Sequence, residues 1–116
     1  MVNSPWTFFR LPSLQFLSLR YNPHLTGYLP EFQETGPLKN LYLAGTSFSG
    51  ELPASIGTLG SVIQLDLSSC NLTGFAPTLL GYITQLFYLD LHNNHSTSQI
   101  PPPLGSLTQL THLDFW

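Results

Sequence analysis

The sequence predicts a repeat solenoid of the α/β type: a right-handed superhelix with a parallel β-sheet on its concave side and short 3-10 turns or loops on its convex side. Three observations predict it. Leu17, Leu41, Leu65, Leu89 and Leu113 follow one another at a constant interval of 24 residues. Two residues beyond each stands Leu19, Leu43, Leu67, Leu91 or Phe115, and three residues before each stands Leu14, Leu38, Val62, Leu86 or Leu110. Three residues beyond the second apolar position come Asn22, Thr46, Cys70 and Asn94. A fixed period of roughly 20–50 residues marks stacked supersecondary units that bury their apolar faces against one another.

Each part of the unit follows from its spacing. Alternate residues of Leu-x-Leu point to one side of a short strand, so both leucines enter the core and the residues between them face solvent on the concave side. The slot held by Asn22, Thr46, Cys70 and Asn94 turns the chain away from the strand, and a short buried polar group there bonds the loop backbones of adjacent units. Cys70 fills the same slot as a small residue with a weak donor. Phe48-Ser-Gly50-Glu-Leu52-Pro53 then matches Leu72-Thr-Gly74-Phe-Ala76-Pro77, and more loosely Ser96-Thr-Ser98-Gln-Ile100-Pro101. The first unit reads Leu25-Thr-Gly27-Tyr-Leu29-Pro30, one residue late after an extra Pro23-His24. Insertions of this kind fall in connections, where a solenoid absorbs them. Pro53, Pro77 and Pro101, each followed by an apolar-Gly pair, predict a short helical turn with proline at its first position. Residues 1–10 read as an irregular lead-in and 11–116 as the array, about four full repeats and the start of a fifth.

Taken together, Leu-x-x-Leu-x-Leu and Leu-x-Gly-x-Leu/Ile-Pro resemble the plant-type extracellular leucine-rich repeat. Tyr21-Asn-Pro-His-Leu-Thr-Gly-Tyr-Leu-Pro-Glu-Phe32 and Gly45-Thr-Ser-Phe-Ser-Gly-Glu-Leu-Pro53 are similar to receptor-like proteins of the pathogen-resistance kind. The resemblance implies a protein- or peptide-binding module of a cell-surface receptor in defence or developmental signalling, with a co-receptor kinase as a further partner. It implies an extracellular, plasma-membrane setting, although the chain shows neither a signal peptide nor a membrane helix. Family members carry an export signal, cysteine caps and many more repeats, so this chain is expected to be an internal slice. Uncapped ends would leave apolar surface open and favour self-association. Two alternatives remain: a protein resembling polygalacturonase inhibitors, and a truncated gene product without function.

Composition excludes other classes. Charged residues make up 8% of the 116, and three basic side chains (Arg10, Arg20, Lys39) stand against six acidic ones. Nucleic-acid binding needs a basic footprint that this chain lacks. No apolar run reaches the roughly 18–20 residues of a membrane-spanning helix. One cysteine forms neither a disulfide framework nor a cysteine-built zinc site. No cofactor, metal or catalytic residue is expected, and no serine motif of a hydrolase accompanies the histidines.

The concave columns supply the candidate binding residues. Between the paired leucines lie Ser18, Tyr42, Asp66, Asp90 and Asp114, a column holding all three aspartates of the chain. Carboxylates at one strand spacing repel and favour a cation or a basic ligand group; equally, Asp in Leu-Asp-Leu reads as a solvated repeat residue. One position earlier lie Phe16, Asn40, Gln64, Tyr88 and His112; two positions after the aspartate column lie Arg20, Ala44, Ser68, His92 and Trp116. Phe16, Tyr21, Tyr42 and Tyr88 suit interface anchors or cross-strand packing. The candidates are thus Phe16, Arg20, Tyr42, Asp66, Tyr88, Asp90, His92 and Asp114. His92 and His112 lie about 13 Å apart along the strand direction, too far to share one ion, while His92 and Asp90 sit two apart on one face. Of the two sequons, Asn71-Leu-Thr73 should face outward and accept a glycan, whereas Asn94-His-Ser96 starts at a ladder residue and should not. Ser96 and Ser98, standing where other units have Phe48 and Gly50, mark an expected weak point.

Overall fold

The computed structural model describes residues 11–32, 36–74, 78–95 and 106–114. The lead-in and the departures at Ala76, Ser96 and Ser98, together with Phe115 and Trp116, lie outside the described residues. In chain order the strands are β1 (Phe16–Ser18), β2 (Thr26–Tyr28), β3 (Asn40–Tyr42), β4 (Ser47–Glu51), β5 (Gln64–Asp66), β6 (Asn71–Gly74), β7 (Tyr88–Asp90) and β8 (His112–Asp114).

The Leu-x-Leu strands form one parallel sheet in the order β1-β3-β5-β7-β8. Leu17, Leu41, Leu65, Leu89 and Leu113 stand in register across it, so the 24-residue period of the sequence is the period of the coil. Leu41, Leu43, Leu65, Leu67, Leu89 and Leu91 have no solvent exposure. They form one continuous core with Leu38, Val62 and Leu86 from the segments before the strands, and Ile56, Leu59, Leu80 and Ile83 from the convex side. Stacking, not any single coil, closes this core.

A second parallel sheet, β2-β4-β6, runs along the flank. Sequence reading assigns no strand here. The repeated Leu/Phe-Ser/Thr-Gly stretch lies one coil above its neighbour in each turn, so its backbone groups pair between coils, with a register shift at Gly50/Glu51. Among the described residues the convex side carries 3-10 helices at Ala54–Thr58 and Thr78–Tyr82. The sequence reading expects Pro53 as the first helical residue, but it instead caps the first helix, with an extended ψ of 147°. Its fixed φ suits either place, and at the cap its carbonyl still accepts the Ile56 N–H at 3.0 Å. Among the described residues no helix is long and apolar enough to cross a membrane.

Strands β1, β3, β5 and β7 of the large sheet end in the same turn. Tyr21, Gly45, Ser69 and Asn93 occupy equivalent positions and all have left-handed φ, at 61°, 74°, 53° and 57°. Directly after them comes the polar ladder. Thr46 Oγ1 donates to the Leu43 carbonyl at 2.8 Å and meets Cys70 Sγ at 3.3 Å, while that thiol reaches the Leu43 carbonyl at 3.2 Å. Asn94 Nδ2 donates to the Leu67, Leu91 and His92 carbonyls, and its Oδ1 accepts the Leu72 N–H. These contacts satisfy the carbonyls that the turn strips of sheet partners. Asn22 bonds only within its own turn, to the Leu19 and Arg20 carbonyls, and is exposed instead of buried, because no described coil precedes it. Burial pushes the Cys70 thiol above its ordinary 9.0, opposed by its hydrogen bonds to Thr46.

Candidate binding face on the concave sheet

The concave sheet carries the candidate residues on five strands spaced one coil apart. Its central column differs from expectation: Tyr42, Asp66 and Asp90 are buried, at 7%, 6% and 5% exposure, and do not face open solvent. The cause is lateral. Phe16 and Arg20 lie against Tyr42, Arg20 and Ser68 against Asp66, and Tyr88 and His92 against Asp90. Ser18 and Asp114, at the two outer strands, remain more open.

On the β1–β3 side, Arg20 dominates. Its guanidinium lies 4.0 Å from the centre of the Tyr42 ring and 3.6 Å from Asp66 Oδ2, bridging past β3 to β5. Tyr42 is fixed beneath it by its hydroxyl, which accepts from Asn40 Nδ2 at 3.0 Å and donates to Gln64 Oε1. Phe16 packs edge-on to the same ring at 5.2 Å and is 57% exposed. Tyr42 is therefore a buried support, not an exposed anchor, whereas Phe16 and Tyr21 present free surface. Asp66 Oδ1 accepts both the N–H and the hydroxyl of Ser68, at 3.0 and 2.7 Å.

On the β7–β8 side, Tyr88 and His112 stack with ring centres 4.2 Å apart and planes 5° from parallel. Sequence reading set these two in one column without pairing them; their spacing of one period carried the signal. The Tyr88 hydroxyl lies 3.5 Å from Asp90 Oδ2. Asp90 Oδ1 accepts the His92 N–H at 3.1 Å and also contacts His92 Nδ1. The same Nδ1 lies 3.8 Å from Asp114 Oδ2 on the neighbouring strand. The hydrogen bond to Asp90 raises the His92 pKa above its ordinary 6.5; partial burial opposes this, and the charges of Asp90, Asp114 and Asp66 add to it. Burial, with the charges of Asp66 and Asp90, raises the Tyr88 phenol above its ordinary 10.0.

The eight candidates thus fall into two groups: Phe16, Arg20, Tyr42 and Asp66 on one side, Tyr88, Asp90, His92 and Asp114 on the other. Each has exposed edges above a buried carboxylate. Such a face offers aromatic edges to apolar groups and negative potential to cationic ones. The flank holds a separate, open groove of about 470 Å³ lined by Tyr28, Glu31, Glu51 and Thr73 among others.

Comparison with known proteins agrees with this architecture. The family described as Leucine Rich Repeat matches residues 37–59, 61–83 and 85–107, more than half of the chain. Receptor-like protein 6 of Arabidopsis thaliana is 40% identical over 57 residues, which is 49% of this chain and 6% of that protein. The crystal structure of a TDR receptor superposes with a TM-score of 0.90 at 32% identity, covering 98% of this chain and 20% of the receptor chain. The leucine-rich-repeat ectodomain of the Arabidopsis receptor kinase HAESA, solved with an IDA peptide hormone ligand, gives 0.85 at 35% identity over 92% of this chain and 18% of its own. The chain therefore spans a small part of each of these relatives. Its period, its paired parallel sheets and these matches place it in the leucine-rich-repeat family, among proteins similar to plant receptor ectodomains.

Proposed function

We propose that this chain is a peptide- or protein-binding segment of a plant cell-surface receptor, working in defence or developmental signalling with a co-receptor kinase as its second partner. The observation that carries the reading is the continuous concave sheet, where exposed Phe16 and half-exposed Arg20, Tyr88, His92 and Asp114 border a buried acidic column. A ligand crossing the parallel strands follows such a column and meets one of its residues per coil, at intervals of about 4.8 Å. That presents an extended peptide with alternating aromatic and charged contacts while the backbone beneath stays rigid. The likeness to the HAESA ectodomain, whose structure holds a peptide hormone, supports the same use of the face. The whole protein would act outside the cell at the plasma membrane, and exposed Asn71 fits a glycosylated surface there.

The test is selection of short random peptides displayed on phage against the folded chain, followed by calorimetry with the enriched peptides. Replacing Phe16 and Tyr88 together by alanine should weaken binding about tenfold or more. Tyr82→Ala, on the convex side, should leave it unchanged. Failure to enrich any peptide, or binding indifferent to the concave pair, would reject the reading.

A further inference from the structure

We propose that Asp90, His92 and Asp114 form a divalent-cation site of the zinc class on the concave face. Their ligand atoms, one from each residue, all lie within 4.8 Å of one another. A tetrahedral ion with bonds of roughly 2.1 Å needs its ligands about 3.4 Å apart, so a modest inward rotation of the Asp114 side chain completes a three-pronged seat. The Asp114 side chain is 40% exposed, and Asp90, at 8%, accepts from the Tyr88 hydroxyl and the His92 N–H.

The donor set selects the ion. One imidazole nitrogen with two carboxylates suits zinc and its transition-metal neighbours better than calcium or magnesium, which prefer oxygen alone and more ligands. Zinc would replace the Nδ1 proton that His92 shares with Asp90, leaving neutral His92 with its proton on Nε2 and its Nδ1 lone pair on the ion. The 39% exposure of the His92 side chain leaves room for water at the remaining coordination position.

Charge on the column points the same way. Asp66, Asp90 and Asp114 stand in register on β5, β7 and β8. Asp66 has the Arg20 guanidinium at 3.6 Å, and Asp90 and Asp114 share His92. The position equivalent to His92 is Ser68, Ala44 and Arg20 on the preceding coils, so among the described coils only this one places an imidazole there. Sequence reading compared His92 with His112 and found them too distant; the partners are carboxylates, one two residues before it and one on the neighbouring strand.

The test requires no peptide, so it stands apart from the receptor reading. The folded chain is titrated calorimetrically with zinc chloride alone at neutral pH, then with calcium and magnesium chloride. We expect one saturable zinc site. His92→Ala and Asp114→Asn, each checked for native circular dichroism, should weaken it about tenfold or more. The His24→Ala/His95→Ala double variant should keep it. By NMR, the His92 imidazole signals should shift with zinc ahead of those of His24, His95 and His112. Absence of saturable binding, equal affinity in His92→Ala and Asp114→Asn, or another histidine shifting first would each overturn the proposal.

Discussion

The guanidinium of Arg20 lies over the Tyr42 ring, 4.0 Å from its centre, on its way from the β1 turn to a carboxylate two strands away. The pair joins three coils through one charge. Half-exposed ion pairs contribute little alone, and a cation over an aromatic ring adds about 0.5–1 kcal/mol. Arg20→Ala should therefore lower stability by roughly 1 kcal/mol in urea unfolding, with the loss smaller in high salt. Arg20→Lys should recover less than half, because an ammonium lacks the planar fork that stacks and pairs at once. Full recovery by lysine would show that point charge alone matters.

The left-handed turn is sharpest in its demands at Gly45. A Cβ built there would lie 2.9 Å from Tyr21 Cδ1 and 3.3 Å from the Tyr21 Cα and N, at a φ of +74°. The ring can swing away, but the backbone of the adjacent coil cannot do so without parting Tyr21 N–H from the Ala44 carbonyl, now 2.8 Å apart. Gly45→Ala should cost about 1–3 kcal/mol, read as a fall in the urea midpoint at constant m-value. In Ser69→Gly, where a side chain now occupies the same conformation, the loss should be absent.

Leucines at one repeat position are not equivalent. Leu89 is fully buried between β5 and β8, whereas Leu113 on β8 is 43% exposed. Leu89→Ala should destabilise by about 2–5 kcal/mol, as a cavity in a closed core does. Leu113→Ala should cost under about 1 kcal/mol, since much of its side chain already meets water. Equal losses would mean that a further layer covers Leu113 in solution.

How far the sequence reaches depends on whether a feature repeats. Strand register was legible because Leu17, Leu41, Leu65, Leu89 and Leu113 keep one period without a slip. The ladder was legible at Thr46, Cys70 and Asn94 for the same reason. The flank sheet escaped because β2 and β4 share no strict apolar alternation; their pairing is between backbones, which composition does not show. Burial of Asp66 and Asp90 escaped because it depends on how far Arg20, Tyr88 and His92 lean across strands, a distance that repeat columns treat as zero. The grouping of Asp90, His92 and Asp114 needed both the column and the lean.

Cys70 gives the pH dependence. Burial raises its folded pKa above the unfolded value near 9.0, so the folded state favours the neutral thiol. The resulting stability is fully present below the unfolded value and is lost as pH rises through the higher folded value. Wild-type protein should lose more stability above pH 9 than Cys70→Ala does, in paired urea titrations across that range. The same burial should make native Cys70 alkylate far more slowly than the thiol of the urea-unfolded chain. Alkylation at equal rates in native and unfolded protein would mean that the Thr46–Cys70 step of the ladder opens readily.

The two sequons test the ladder from outside. Asn71 is exposed and its Oδ1 meets His95 Nε2, at 3.2 Å. Asn94 is half-buried, and its Nδ2, the atom a glycan would occupy, donates to the Leu67, Leu91 and His92 carbonyls. A glycan there would strand those carbonyls, and truncation to alanine would do the same, at a cost of roughly 2–4 kcal/mol. Asn71→Ala should be close to neutral. When the chain is secreted from plant cells behind an added export signal, peptide mapping should find glycan on Asn71 and bare Asn94. Glycan on Asn94 of a folded chain would mean that its side chain points outward and that the ladder closes through other groups.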